Sequence, residues 1–140
     1  MKELLKQLDD LISKEEVNVE KIQELKKELL KTHIRGLKID NYIGDYPTFM
    51  EPVILGDAVK IGDDVLIGPD VYIGNNSEIG DYVEISNSII FDNVKIGDNF
   101  KLDNCLIAKN SKFDFNNFKG NNCILKGIAK SKNELQIISI

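Results

Sequence analysis

Few residues of this chain combine a reactive side chain with the spacing that catalysis would need. His33 is the only histidine among 140 residues. Histidine is the side chain best suited to act as a general base, because it titrates near neutral pH. His33 falls in the last turn of a predicted helix, where an imidazolium would interact favourably with the helix dipole. We therefore interpret it as structural and keep it as the one candidate general base.

The two cysteines and the acidic pairs are the remaining candidates for a metal or redox site. Cys105 and Cys123 lack the Cys-x-x-Cys spacing of a zinc site. We interpret them as free thiols that pack as small apolar side chains, with a redox pair or a disulfide as the alternative. Acidic pairs such as Asp63-Asp64 follow glycine and lack the G-G-x-G-x-D pattern of calcium-binding repeats. We predict solvated turn residues there, and no metal site.

The composition is that of an ordinary globular protein of one domain. The chain is 42% hydrophobic and 29% charged, with a net charge of −5, which argues against nucleic acid or an anionic membrane as the main partner. No apolar run approaches the length of about 20 residues that spans a bilayer, and the charged start is unlike a signal peptide. We expect a cytoplasmic protein, and the helical start at Met1 favours a complete chain.

Residues 1–36 have the hydrophobic pattern of helices. The aliphatic residues at helical spacing are Leu4, Leu5, Leu8, Leu11 and Ile12 in one stripe, and Ile22, Leu25, Leu29 and Leu30 in a second. Ser13 and Asn18 are plausible helix-start signals, and Gly36 is a plausible stop. The pattern predicts an N-terminal helical segment, either a hairpin or one helix broken near Val17–Val19.

From Ile43 onward an apolar residue recurs at every sixth position, with two five-residue steps. The series is Ile43, Phe49, Leu55, Ile61, Ile67, Ile73, Ile79, Ile85, Ile90, Ile96, Leu102, Ile107 and Phe113. A period of six fits neither a helix nor a hairpin meander. It fits a short strand with two inward side chains around one outward side chain, followed by a tight corner at which Gly, Asp and Asn tolerate a left-handed backbone. Three such sides form one coil, and coils stack about 4.8 Å apart.

The repeat therefore predicts a mainly β fold, a parallel β-helix of about five coils over residues 37–140 with an irregular C-terminal cap. The register after Phe113 stays open, because the six-residue step would place Lys119 inward and several apolar residues compete. The final "LQIISI" is read as a capping strand or a partner-binding edge, because an open end exposes unpaired backbone.

The stretch "VKIGDDVLIGPDVYIGNNSEIGDYVEI", Val59 to Ile85, resembles the hexapeptide-repeat proteins. This resemblance implies a left-handed β-helix, against the usual right-handed crossover of parallel strands. A narrower resemblance lies in "SNSIIFDNVKIGDNFKLDNCLIAKNSKF", residues 86–113, which looks like the C-terminal β-helix of sugar-phosphate nucleotidylyltransferases such as mannose-1-phosphate guanylyltransferases. In those enzymes the chemistry lies in a separate N-terminal domain, whose glycine-rich loop and size have no counterpart in residues 1–35.

Hexapeptide acyltransferases are the other large group that the repeat resembles. They use a histidine base, so this resemblance would make His33 the base of an acyl-CoA-dependent reaction between subunits. They also break the repeat with a loop over the substrate, whereas here the repeat runs almost uninterrupted from 53 to 113. Ser77, Ser88 and Ser111 fall at inward positions, where serine is a packing residue. We predict no catalytic residue beyond the candidate His33, and no cofactor.

The outward residues on one side of the β-helix form an apolar column. They are Ile54, Tyr72, Ile89, Leu106 and, if the register holds, Ile124. Such a stripe is an interface. Two covers are compatible with the sequence: the same face of two other copies, giving the parallel trimer common among proteins with this repeat, or the leucine stripes of the helical segment. Both could hold together.

These observations together predict a non-catalytic oligomerisation or regulatory module related to the nucleotidylyltransferase C-terminal domain. It would form a homo-oligomer, expected to be a trimer, or hold a separately encoded sugar-nucleotide enzyme. The acyl-CoA-dependent acyltransferase remains the alternative.

Overall fold

The computed structural model describes all residues, 1–140, and begins with two helices. Helix α1 spans Lys2–Ile12 and helix α2 spans Val19–Thr32, so of the two alternatives for the helical segment the structure has the hairpin. Asn18 caps α2, because its side-chain oxygen accepts a hydrogen bond from the Lys21 backbone N–H at 3.1 Å. The prediction for Ser13 was wrong: it ends α1, and its hydroxyl donates to the Asp9 carbonyl at 2.7 Å.

The rest of the chain winds into a left-handed parallel β-helix of about five coils, as predicted. The strands are β1 (Leu37–Lys38), β2 (Thr48–Phe49), β3 (Val53–Leu55), β4 (Lys60–Ile61), β5 (Leu66–Ile67), β6 (Val71–Ile73), β7 (Glu78–Ile79), β8 (Glu84–Ser86), β9 (Ser88–Ile90), β10 (Lys95–Ile96), β11 (Phe100–Ile107), β12 (Lys112–Phe113), β13 (Phe118–Lys126), β14 (Ile128–Ala129) and β15 (Gln136–Ser139).

The β-helix has three faces. Face A consists of β1, β3, β6, β9 and the second halves of β11 and β13; face B consists of β2, β5, β8 and the first halves of β11 and β13; face C consists of β4, β7, β10, β12 and β14. The register of face A places Tyr72 beside Ile54 and Ile89, and Leu106 beside Ile89 and Ile124. The apolar column predicted from the sequence is therefore continuous.

The apolar series predicted to point inward forms one core along the shaft. From Leu55 to Phe113 every member of the series is buried. The first coil is the exception: Ile43 is 57% exposed and Phe49 is only partly buried, because no coil lies beneath them. A core built from stacked layers of aliphatic side chains is the main source of apolar burial in such a fold.

The corners obtain their left-handed backbone from the Asp and Asn pairs, as the sequence predicted, and not from the glycine before each pair. The second residue of each polar pair takes the positive φ: Asp64 lies at 55°, Asn76 at 59° and Asn99 at 55°. Asn and Asp tolerate this region better than other residues with a Cβ. The preceding glycine serves a different purpose, since a Cβ on Gly62 would lie 2.8 Å from the carbonyl oxygen of Gly80 in the next coil.

The first residue of each polar pair links neighbouring coils by a side-chain ladder. The Asp63 backbone N–H donates to the Asp81 carboxylate at 2.8 Å, and the Asp81 N–H donates to Asp98 at 2.9 Å. The Asp98 N–H in turn donates to the Asn116 side chain at 2.9 Å. These acidic side chains are thus acceptors for backbone amides at the corners, a more specific role than that of solvated turn residues.

The C-terminal end departs from the six-residue rule because one corner is longer. Lys119 points outward beside Lys101, and Gly120 takes the inward position beside Leu102. The corner between Phe113 and Phe118 contains one extra residue, so the six-residue step fails there and the register that the sequence left open has Lys119 outward. The final strand β15 pairs antiparallel with β13, with Ile138 beside Ile124, which confirms the capping alternative for "LQIISI".

We predict that Asp81→Ala lowers the free energy of unfolding by about 1 kcal/mol, because it leaves the Asp63 N–H without its acceptor. Asp81→Asn is the matched control, since its amide oxygen keeps that hydrogen bond. Urea unfolding of the three proteins measures the difference. Equal stability of Asp81→Ala and wild type would show that the ladder does not hold the corners.

Candidate functional site

The residues predicted to form an interface lie beneath the chain's own helices. Ile89, Leu106 and Ile124 are fully buried, Tyr72 is 8% exposed, and Ile54 is partly buried. They belong to a second core with the apolar residues of the helices, which are Leu8, Ile12, Ile22, Leu25, Leu29 and Leu30. The side chain of Lys126 on β13 also donates to the Ile12 carbonyl at 2.7 Å, at the C-terminal end of α1.

The apolar column is consequently an intramolecular interface. Of the two covers that the sequence left open, the structure has the helical hairpin, and the expectation that these five side chains contact other copies is corrected. The physical reason is proximity along the chain: the end of α2 is only a few residues from β1, so docking of the helices loses far less freedom than association of separate molecules.

His33 lies at the C-terminal end of α2, as predicted from the sequence. Its backbone N–H donates to the Leu29 carbonyl at 2.9 Å, and its side chain is exposed. His33 lines neither the surface depression around Lys101 on face B nor the groove beside Lys26 on α2. No serine or cysteine side chain is bonded to it, so the geometry gives His33 no nucleophile to activate.

The one buried cation of the structure is Lys26 on α2. Its residue is 3% exposed, and its ammonium group donates to the side-chain oxygen of Asn87 at 3.3 Å. Burial lowers the pKa of Lys26 to about 8, partly offset by the charges of Asp103 and Asp70. A groove between α2 and the β-helix corner runs past it. Lys26 therefore docks α2 through a polar contact that the hydrophobic pattern does not reveal.

Cys105 and Cys123 are brought together by the coil register. They lie side by side on β11 and β13, both buried, with their sulfur atoms 3.6 Å apart and no disulfide between them. The hydrogen bond to Cys123, together with burial, raises the pKa of the Cys105 thiol. The two thiols act as inward packing residues in this structure.

Face B carries a cluster of polar residues that we call the face B patch. Its members lie in two columns on three neighbouring coils, namely Glu84, Lys101 and Lys119 in the first column and Ser86, Asp103 and Asn121 in the second. Lys101 and Glu84 form an ion pair at 2.9 Å, and the Ser86 hydroxyl donates to Asp103 at 3.1 Å. The six residues line a shallow depression of about 230 Å³.

The sequence pattern shows only two of the six patch residues. One outward residue per side gives Glu84 and Lys101, whereas the six-residue step misplaces Lys119 and the second column is missed. The strands β8, β11 and β13 are longer than two residues on this face, so Ser86, Asp103 and Asn121 follow the inward residue as a second outward row. The signal available in the sequence was the polar residue at the same offset in each of these three coils.

A metal-ligating cluster or a membrane-spanning helix would also bear on function. The structure contains no group of three or more His, Cys, Asp or Glu side chains placed to hold a metal ion. Neither helix has the length and apolar character needed to cross a membrane.

We predict that Lys26 contributes a rise of at most about 3 kcal/mol to the free energy of unfolding as the pH increases from about 8 to 10.5. The folded pKa of Lys26 lies below its unfolded value, so the folded state binds fewer protons in this window and gains stability as the pH rises through it. Urea unfolding at several pH values measures this. The buried Cys105 thiol, whose pKa is raised, acts in the opposite direction in the same pH range, so the quantity to compare is the difference between wild type and Lys26→Met. That difference should grow in favour of the wild type as the pH rises, and Lys27→Met, at an exposed neighbour, should follow the wild type. A difference between wild type and Lys26→Met that does not change with pH would contradict the role of Lys26.

Both cysteines should resist a thiol reagent in the folded protein, reacting at least about a hundredfold more slowly than in denaturant because burial excludes the reagent. Absorbance with Ellman's reagent measures the rates. Tyr82→Cys provides an exposed thiol as the control, because Tyr82 is 60% exposed. Fewer than two titratable thiols in unreduced, denatured protein would indicate the disulfide instead.

Comparison with known families connects the fold to a class of proteins. Residues 49–139 match the family described as the GMPPB C-terminal domain. No curated protein matches the chain. The match spans faces A, B and C and the capping strand, and it agrees with the resemblance to the β-helix of sugar-phosphate nucleotidylyltransferases read from residues 86–113. The chain belongs to the GMPPB C-terminal domain family.

Proposed function

We propose that the protein is a non-catalytic assembly or regulatory module of sugar-nucleotide metabolism. The observation that carries this proposal is that the β-helix and the two helices before it have distinct structural roles. The family match covers the β-helix, and the helices that precede it direct their apolar stripes onto face A. The described residues thus build a rigid shaft and its cover.

The shape of the molecule supports a role in holding other proteins. Parallel coils connected by in-register hydrogen bonds give long, flat and rigid faces. Faces B and C and the first coil remain exposed, and the first coil presents Leu37, Ile43, Tyr46 and Met50 to solvent. Partners of the proposed kind are further copies of this chain and a separately encoded sugar-nucleotide enzyme.

Light scattering over a range of concentrations tests the assembly role. We expect the mass to exceed that of a 15.8 kDa chain and to increase with concentration. A monomer at every concentration would exclude self-assembly.

A thermal-shift series with acetyl-CoA and sugar nucleotides tests the non-catalytic part of the proposal. We expect acetyl-CoA to leave the melting temperature unchanged in the wild type and in His33→Ala. Stabilisation of the wild type by acetyl-CoA that His33→Ala abolishes would favour an acyltransferase and contradict the proposal.

A further inference from the structure

The three faces of the β-helix differ in what they offer to a second copy. Face A is covered by α1 and α2. Face C has three outward lysines, Lys60, Lys95 and Lys112, against two carboxylates, Glu78 and the Asp114 that pairs with Lys95. The face B patch has two lysines and two carboxylates, so its formal charge is zero although the whole chain carries −5. A patch that carries both signs of charge can be complementary to a second copy of itself, because positive groups can meet negative ones.

The arrangement of charges within the face B patch is self-complementary under a two-fold rotation. With the axis in the plane of the interface, parallel to the shaft and passing over Leu102, Lys101 of one copy meets Asp103 of the other, and the reverse. The same rotation places Glu84 opposite Ser86, and Lys119 opposite Asn121. No like charges meet, and the central pair occurs twice, as symmetry requires for an isologous contact.

A closed parallel trimer does not bring the face B patch against a matching surface. When three copies of a three-sided shaft surround a three-fold axis, face B of one copy and face C of the next stay inclined to each other and cannot lie flush. The complementary placement of Lys101 and Asp103 is used only when face B meets face B, which is a two-fold contact.

We infer that the face B patch is a two-fold interface between copies of this chain. The inference rests on the proposed assembly function and replaces three-fold with two-fold symmetry. Five coils at about 4.8 Å and a side of about 17 Å give face B roughly 400 Å² per copy. The total is below the roughly 1,200 Å² of a stable complex. The dimer therefore forms and dissociates with concentration, and salt weakens it.

Sedimentation velocity from micromolar to near-millimolar protein tests the interface. The wild type should form dimers. Lys101→Glu should weaken dimerisation at least about tenfold, because it places two carboxylates at each central contact. The double variant Lys101→Glu with Asp103→Lys exchanges the two charges and should restore the dimer. Lys95→Glu on face C is the matched control and should dimerise as the wild type does.

Each other outcome has a defined meaning. A dimer or larger oligomer that ignores Lys101→Glu, or a double variant that stays dissociated, overturns the face B interface and leaves the assembly function standing. A trimer overturns the two-fold symmetry in the same way. A wild type that is monomeric throughout the concentration range removes both the interface and self-assembly. Circular dichroism of each variant confirms that the fold is retained.

Discussion

The whole structure depends on the requirement that each coil match the next in register. Backbone groups at every corner need partners in the neighbouring coil, and the acceptors on Asp81, Asp98 and Asn116 supply them. Glycine is needed beside these acceptors because a Cβ would meet the next coil. The aliphatic core, the polar columns and the adjacent cysteines all follow from this register, since residues one coil apart are forced onto the same face.

The same register produces an apolar outer surface on face A, which the helices cover. Stacking places Tyr72, Ile89, Leu106 and Ile124 in one outward column, and such a column is unstable in water. Helices α1 and α2 cover it with their own apolar stripes. Lys26 and Lys126 add polar contacts at the edge of this interface. The consequence for function is that faces B and C, rather than the apolar face, are available to partners.

Membership of the GMPPB C-terminal domain family is shown for residues 49–139, and the assembly role is the function proposed for it. His33 has no nucleophile beside it, and the thiols of Cys105 and Cys123 are buried in the shaft. The exposed faces of the β-helix carry charged side chains that are held one coil apart on a rigid surface. Such spacing can distinguish one symmetry of association from another, because it decides which charges meet.

The sequence alone determined the repeat, the three faces, the inward series and an N-terminal helical segment, because each depends on residue type at a fixed spacing. It also placed Ile54, Tyr72, Ile89 and Leu106 in one column, since coil length fixes that register, and it placed Ile124 there only if the register held beyond Phe113. Only the tertiary structure decided what covers the column. The sequence pattern shows that the column is apolar, but it cannot distinguish the leucine stripes of the helices from a second copy as its cover. The tertiary structure also decided the burial of Lys26 and the second column of the face B patch. Those features depend on where a helix docks and how far a strand extends, which are set by packing across the molecule and not by local spacing.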